Sequence, residues 1–430
     1  SMTKKHFEYN GNLHEEAKAL LEKKGILLEN VTLAEWFKKR GFRVEDNRVK
    51  FKDWEIEHVL KLCPAEVKLN SGQKEFVIGN ATTFYGFSGD PSSVIINGKK
   101  NNFLREDGIS IFKLMDTSRS IGFLSEFPWF SKYRSTTEQL AFLFKHSNKP
   151  LVILPAEKKG FRQYQEVFQL INNFYEKKKT THVIVPMKIS DEGILTWEQL
   201  ELIENTAGFH QALLLKIYGS AGEDELLTEE SLCVRLNAVL LGYCCIIQLL
   251  HSKLPVLFGL SNKIHDAKQK EMILGSVSGS MLKTLSELWR YYQIPFMMEN
   301  LPMDALLPDI LAGAESMSKY REMFGQYKSS IMNCTLGSLK DGKSISMEKF
   351  LIDEEMIEML IRLYRGIDCS EEMSCYDAVK NTGPRGSYFN TRMLKVIKKE
   401  FYDSRYLNKE SVGNWRSEPI QDLIGHVETV

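Results

Sequence analysis

The stretch Ala212-Leu213-Leu214-Leu215-Lys216-Ile217 is followed by a helical stretch over residues 227–251 and then by Val256-Leu257-Phe258-Gly259-Leu260. Both short runs are apolar almost throughout, which is typical of strands buried on both faces of a parallel sheet. Two such strands joined by a helix form one strand–helix–strand unit. Repetition of this unit predicts an α/β fold with a parallel sheet.

The same rhythm of short apolar runs and helical stretches continues on both sides of this unit. Five further buried strands are predicted at Ile121–Leu124, Leu151–Leu154, Val183–Val185, Pro295–Met298 and Ser330–Cys334. An eighth strand is expected within residues 76–87. Eight strands alternating with helices favour a (β/α)8 barrel of the TIM type. An open doubly wound sheet is the alternative, and it is weaker because no GxGxxG or GxxxxGK[ST] pattern follows a strand.

The chain is predicted to have three parts. Residues 1–75 are expected to form an N-terminal cap of helices joined by short turns, and residues 76–366 the barrel. Residues 367–430 are expected to form a C-terminal helical extension packed on the barrel. Ser1, which precedes Met2, resembles a tag remnant and takes no part in the fold argument.

The composition argues against several classes of function. Lys+Arg and Asp+Glu number 56 each, so no net charge favours nucleic acid or an anionic membrane as a partner. No N-terminal segment resembles a signal peptide, and no uninterrupted apolar run is long enough to cross a bilayer. The 7 cysteines include no CxxC pair, and the 9 histidines include no HExxH motif. We therefore expect a cytoplasmic protein with reduced thiols and no structural metal.

The candidate site residues follow the predicted strands, because barrel enzymes carry their chemistry at the C-terminal ends of the strands. Glu299 and Asn300 come directly after Pro295–Met298. A carboxylate beside an amide at a barrel mouth can bind a cation or orient a proton donor. The alternative is that Glu299 caps the next helix or pairs with a cation of the loop.

Other residues near strand ends are weaker candidates. Asp304, in the loop after the same strand, is the second candidate catalytic residue, whereas Asp309 is expected at a helix N-terminus. His265 and Asp266 follow the strand Val256–Leu260 and either bind substrate or belong to a solvated loop. Three aromatic residues could line a cation-binding pocket or belong to the barrel core: Tyr85, Tyr218 and Phe258.

Two segments carry a resemblance to a known family. The first, Glu299 to Glu315, contains Asp304-Ala305, Pro308-Asp309 and Gly313-Ala314-Glu315. The second, Met347 to Phe389, contains Glu348-Lys349-Phe350, Asp353-Glu354-Glu355-Met356, Arg365-Gly366-Ile367, Asp377-Ala378 and Gly383-Pro384-Arg385-Gly386. Together with matches nearer the N-terminus, in order over most of the chain, they resemble the trimethylamine methyltransferase superfamily.

The resemblance implies an enzyme that moves a methyl group from a small methylated amine to Co(I) of a corrinoid (cobalamin) carried by a partner protein. The chain shows no pyrrolysine, so the resemblance points to the branch that demethylates quaternary amines such as glycine betaine. A quaternary ammonium has no N–H and must be held by aromatic faces and carboxylates. The implied partners are a corrinoid protein and the amine, without nucleic acid or membrane, and a homo-oligomer is left open.

Four positions depart from the family pattern. Leu306, Leu311, Ala314 and Ser387 stand where polar residues are common in the family. Two readings follow from these departures. The pocket is rebuilt for another methyl donor, with Glu299 as its anchor, or the chain is a non-catalytic paralogue that binds a small ligand or the corrinoid protein.

Overall fold

The N-terminal part of the chain combines helices with a small sheet. A computed structural model describes residues 2–71, 74–79, 83–87, 91–125, 136–147, 149–153, 162–176, 179–218, 228–261, 276–299, 303–340, 342–371, 373–388, 393–394, 396, 400–402 and 404–405. The first elements are α1 (Met2–Lys24), β1 (Ile26–Leu28), α2 (Val31–Lys39), β2 (Arg43–Glu45), β3 (Arg48–Lys50) and α3 (Asp53–Leu60).

The short strands of this part differ from the prediction of helices and turns alone. Each of β1, β2 and β3 has three residues, which is too few to show an alternating pattern in the sequence. They pair in the order β12-β1-β3-β2, where β12 (Ile194–Leu195) comes from the middle of the chain. A partner this distant in sequence leaves no local signal.

The barrel is closed by eight parallel strands. The next elements along the chain are β4 (Glu66–Ser71), β5 (Lys74–Gly79), β6 (Phe84–Phe87), β7 (Ser93–Ile96), β8 (Lys99–Asn102), α4 (Arg105–Thr117), β9 (Phe123–Ser125), α5 (Thr136–His146), β10 (Leu151–Ile153), α6 (Arg162–Phe174), β11 (Ile184–Ser190), β12, α7 (Trp197–Gly208), β13 (Ala212–Tyr218), α8 (Glu229–Leu250), β14 (Val256–Ser261), α9 (Ser276–Tyr291), β15 (Phe296–Glu299), α10 (Ile310–Glu322) and β16 (Ile331–Cys334). The strand order is β10-β11-β13-β14-β15-β16-β6-β9, and β9 pairs with both β6 and β10. The predicted TIM-type barrel is therefore confirmed against the open sheet.

The remaining elements cover one side of the barrel. They are a π-helical turn (Met323–Tyr327), β17 (Ser338–Leu339), β18 (Ser344–Ser346), α11 (Met347–Arg365) and α12 (Tyr376–Asn381). Strands β17, β18, β7 and β8 form a four-stranded sheet in that order. The division at residues 75 and 366 stays a prediction, and residues 406–430 of the expected C-terminal extension lie outside the described residues.

The barrel strands alternate between two apolar cores. Successive side chains of a strand point to opposite faces, so every second residue faces the barrel interior. The outward residues join the large core beneath the helices. The inward residues join a separate cluster with Val67, Leu69 and Ile78 of the β4–β5 hairpin: Phe123, Val152, Ile184, Ala212, Leu214, Leu257, Met297 and Ile331. The hairpin therefore plugs the N-terminal end of the barrel, where Asn70 N–H also donates to Thr181 O at 2.8 Å.

Helix α8 holds the N-terminal cap against the barrel. It is the one described helix long and apolar enough, by composition, to cross a membrane, but 89% of its most apolar stretch is buried within this fold. A buried network connects the cap to it: His14 Nδ1 lies 2.7 Å from Tyr292 Oη, and Asn237 Nδ2 of α8 donates to the same oxygen at 2.9 Å. Because these groups satisfy one another, the cap is fixed at low desolvation cost.

Candidate active site

On β13, β15 and β16, the inward side chains near the C-terminal end of the barrel are polar. Two residues beyond the apolar inward layer, the inward positions are occupied by Lys216 on β13, Gly259 on β14, Glu299 on β15 and Asn333 on β16. The register confirms that these strands are neighbours in this order. Polar side chains therefore replace the apolar filling at the end of the barrel where strand ends carry chemistry.

The central feature of this polar layer is an ion pair between Lys216 and Glu299. The ammonium of Lys216 contacts the Glu299 carboxylate, and the two side chains are 8% and 21% exposed. Strands β13 and β15 lie on either side of β14, so their backbones are about 10 Å apart. The long Lys216 side chain spans this gap to reach Glu299.

The layer is open to solvent on the side of β11. Lys188 occupies the inward position paired in register with Lys216, and its side chain is exposed. Ser190, the next inward residue of β11, is exposed as well. Lys188 and Ser190 are therefore the solvent-exposed members of this layer, whereas the β4–β5 hairpin covers the opposite end of the barrel.

Glu315 of α10 anchors the backbone of Asp304 and Ala305, which precede this helix. The backbone N–H groups of Asp304 and Ala305 donate to the two oxygens of the Glu315 carboxylate at 2.8 and 3.1 Å. The Asp304 side chain is exposed, and desolvation followed by the negative charge of Glu315 raises the pKa of its carboxyl. Asp309 accepts from Ala312 N–H at 3.0 Å as the N-cap of α10, which confirms the predicted helix-terminal role.

Two aromatic candidates lie on the outer face of the barrel. Phe258 is fully buried and packs edge-to-face on Trp289 of α9, with ring centroids 5.6 Å apart. Tyr85 stacks on Phe324 at 5.3 Å, and desolvation by burial raises the pKa of its hydroxyl. The alternation of β14 and β6 places both side chains between strand and helix, as the core alternative proposed. We therefore leave both residues out of the functional proposal.

The remaining candidates cannot be placed as side chains. Asn300, His265 and Asp266 lie outside the described residues. Tyr218 ends β13 at an inward position of the backbone, but its side chain is not described. Among the residues that the structure does describe, no group of three or more His, Cys, Asp or Glu side chains is arranged to hold a metal ion.

The sequence prediction selected only residues that come directly after an apolar run. It therefore missed three inward-facing residues. Lys216 lies inside a run and Lys188 and Asn333 lie within strands, so none of them directly follows a run. The available signal was the presence of a charged residue within Ala212–Ile217. A lysine in a strand buried on both faces is rarely tolerated without a partner, and it therefore indicates a polar interior.

The comparison with known families decides the identity of this barrel. The family model described as trimethylamine methyltransferase matches residues 6–425. The chain belongs to the trimethylamine methyltransferase family. The predicted methyltransferase family is thereby confirmed.

Several relatives of this methyltransferase are known by activity. It is 25% identical to a proline betaine:corrinoid methyltransferase of Eubacterium limosum over 96% of this chain and 88% of the relative. It is 26% identical to an L-carnitine:corrinoid methyltransferase of the same organism, over 93% of this chain and 85% of the relative. It is 24% identical to a glycine betaine methyltransferase of Desulfitobacterium hafniense, over 95% of this chain and 87% of the relative. Each is a protein that this chain resembles, and the names state their own substrates.

The residues of α11 that carry the family resemblance make structural contacts with neighbouring elements. Lys349 of α11 lies buried between Asp353, at 2.6 Å, and Ser316 Oγ of α10, at 2.8 Å. Asp353 also accepts from Gly337 N–H at 2.8 Å, which ties α11 to the turn after β16. Glu354 accepts from Arg119 N–H at 3.0 Å. The signature residues of α11 thus position neighbouring elements, and the polar layer inside the barrel is a separate feature.

The rim beside the site carries an apolar patch formed by Leu306, Leu307, Ile310 and Leu311. These side chains are 63%, 45%, 92% and 69% exposed. They belong to the segment that leads into α10 and to the first turn of that helix, at the C-terminal end of the barrel. The departures Leu306 and Leu311 are therefore surface residues of the rim, and Ala314 and Ser387 are exposed as well.

Proposed function

We propose that this protein transfers a methyl group from a small quaternary amine to Co(I) of a corrinoid carried by a partner protein in the reducing cytoplasm. The observation that carries the proposal is the Glu299 carboxylate inside the open end of the barrel, paired with a cation. A carboxylate in a partly desolvated wall attracts an ammonium more strongly than one in water. The betaine and carnitine substrates named for the relatives support this class of donor.

The reaction makes specific demands on the site. The bond between nitrogen and the methyl carbon breaks, its electron pair stays on nitrogen, and the methyl carbon bonds to the cobalt nucleophile. The cation thereby becomes a neutral tertiary amine. The attraction of Glu299 for the substrate is strongest before the reaction and weakens as the charge disappears. Glu299 therefore acts by binding the amine and aligning its methyl group, since only interactions that strengthen in the transition state lower the barrier.

The partner must approach the open end of the barrel, because its cobalt has to reach the methyl group in line. We propose that the apolar patch of Leu306, Leu307, Ile310 and Leu311 contacts the corrinoid protein. Exposed apolar patches of this kind mark protein contact sites. The Glu315 bonds to the loop hold the patch in place before binding, which lowers the entropy cost of docking.

The test is a reconstituted methyl transfer. The protein is mixed with a reduced corrinoid protein and with glycine betaine, proline betaine, carnitine or trimethylamine, and methyl-cobalt formation is followed optically. We expect turnover with at least one quaternary amine and less or none with trimethylamine. A reaction of the same corrinoid protein with its own methyltransferase is the positive control. Amine binding without any turnover would instead favour the non-catalytic reading that the rim departures leave open.

A further inference from the structure

We infer that Cys63 and Cys244 form a reversible disulfide that ties the N-terminal cap to the barrel when the protein meets an oxidant. The oxidant is a small-molecule disulfide such as oxidised glutathione, and small thiols reverse the reaction. Disulfides of this transient kind are the ones that reducing compartments allow. The inference is independent of the proposed function, because it concerns a helix outside the barrel strands and can be measured without substrate or partner.

The first argument is the contact between the two sulfur atoms. Cys63 Sγ lies 3.1 Å from Cys244 Sγ, although the two residues are 181 positions apart in the chain. Bonded sulfur atoms lie about 2.05 Å apart, so a movement of about 1 Å is enough to close the bond. Among the cysteines that the structure describes, no other pair makes a sulfur–sulfur contact.

The second argument is that each cysteine is held in place by its own element. Cys63 lies in the turn that follows α3, where its N–H donates to Leu60 O at 3.3 Å. Cys244 lies in the buried middle of α8 and shares a face of that helix with Asn237, seven residues earlier. Asn237 belongs to the buried network that connects α8 to the cap. The contact therefore joins two fixed backbones, one on the cap and one on the barrel.

The third argument is the difference in exposure between the two thiols. Cys63 is half-buried, whereas Cys244 is fully buried. The hydrogen bond with Cys63, followed by burial, raises the pKa of the Cys244 thiol well above its ordinary value. Because the thiolate is the reactive form, an oxidant in solution meets and modifies Cys63 first, and Cys244 is the group that completes the bridge.

The reaction consists of two exchanges of sulfur partners. The Cys63 thiol loses its proton, and its sulfur attacks the small disulfide, so that a mixed disulfide forms and one small thiolate leaves. The Cys244 thiol then loses its proton, and its sulfur attacks Cys63 Sγ, which releases the second small thiolate. The two thiolates take up the two protons. The two cysteines are thereby oxidised, and the small disulfide is reduced to two thiols.

The bridge has a consequence for stability. It joins residues 181 positions apart, and a crosslink over so long a stretch of chain strongly restricts the unfolded state. We therefore expect oxidation of the wild-type protein to raise its Tm by about 5 °C. Dithiothreitol should return the Tm to the value of the reduced protein.

The experiment identifies the bridge by peptide mapping. Protein treated with oxidised glutathione is blocked at its remaining free thiols and digested without reduction by trypsin. The digestion releases Cys63 in residues 62–68 and Cys244 together with Cys245 in residues 236–253. We expect mass spectrometry of the monomer to find these two peptides linked. Exposed Cys369 is the internal control, because its modification by glutathione shows that the oxidant has acted.

Three alanine variants assign the pair. Cys63→Ala and Cys244→Ala should each lose the linked peptides and the rise in Tm. Cys245→Ala is the matched control and should keep both, since Cys245 is the next residue of the same helix and is also buried. If Cys244→Ala does not fold, Cys63→Ala gives the same test at a half-buried position.

Each outcome either supports or overturns the bridge. Unlinked peptides in wild-type protein whose Cys369 carries glutathione would overturn the inference. A link that persists in Cys244→Ala would overturn it as well, because Cys63 would then pair with Cys245. Linked peptides that disappear in Cys63→Ala and Cys244→Ala but remain in Cys245→Ala support it, whatever the result of the methyl-transfer assay.

Discussion

The two ends of the barrel interior are built from the same strands. The inward residues at one end lie two positions along each strand from those at the other end. At the N-terminal end Leu214, Leu257 and Met297 pack on the β4–β5 hairpin. One inward step further, Lys216, Gly259 and Glu299 form a layer that contains a charged pair. The apolar end holds the barrel together, whereas the charged end is the one on which the proposed function depends.

This difference teaches that stability and chemistry are assigned to separate layers of the same strands. A change in the apolar layer should therefore alter the free energy of unfolding without altering ligand choice. A change in the charged layer should do the opposite. The following variants test that separation, beginning with the largest expected effect.

Leu257→Ala should have the largest effect, on stability alone. Removing a fully buried leucine side chain leaves a cavity and lowers the free energy of unfolding by about 2–5 kcal/mol. Leu257→Met keeps the volume and should cost less than about 1.5 kcal/mol. Chemical denaturation measures both values. If the folded Leu257→Ala protein changes its amine preference, the two layers are not independent.

Glu299→Gln should have the next largest effect, on substrate binding. We expect KM for a quaternary amine to rise on the order of 100-fold, with a smaller change in kcat, because the carboxylate acts mainly before charge is lost. Steady-state kinetics with a corrinoid protein measures the split. Glu45→Gln, which removes a carboxylate paired with Lys50 and Arg43 on the cap, is the control. A fall in kcat alone would show that Glu299 takes part in the chemical step instead.

Ile310→Ser should have the smallest effect, on partner affinity. Loss of an apolar side chain from a protein contact costs about 1.5 kcal/mol or more, which is roughly a tenfold weaker complex with the corrinoid protein. Binding of the amine should not change, since the patch lies on the rim. Val31→Ser, at a 55% exposed position of the cap, is the control for surface loss of an apolar residue. Equal weakening by both variants would remove the rim from the proposal.

The strands were predictable because burial on both faces leaves a continuous apolar run. Each of the seven predicted runs overlaps a barrel strand, and the eighth strand, β6, lies in the expected segment. The direction of each side chain was not predictable, because a run that is apolar at every position carries no period of two. For that reason both the pocket and the core alternatives stayed open for Phe258, which the structure places beneath α9.

The candidate site was predicted in part. Glu299 was named because it directly follows an apolar run, and the structure places it inside the barrel mouth. Its contact with Lys216 joins residues 83 positions apart through strands that are not direct neighbours, and such a contact depends on closure of the whole barrel.

The sequence alone determined the strand–helix rhythm, the family signature and the carboxylate at the end of β15, since these depend on local composition and on order along the chain. Only the tertiary structure decided which residues face the interior and which charges meet there. The reason is geometric: strand register and barrel closure bring Lys216 to Glu299. No local pattern in either segment specifies that meeting.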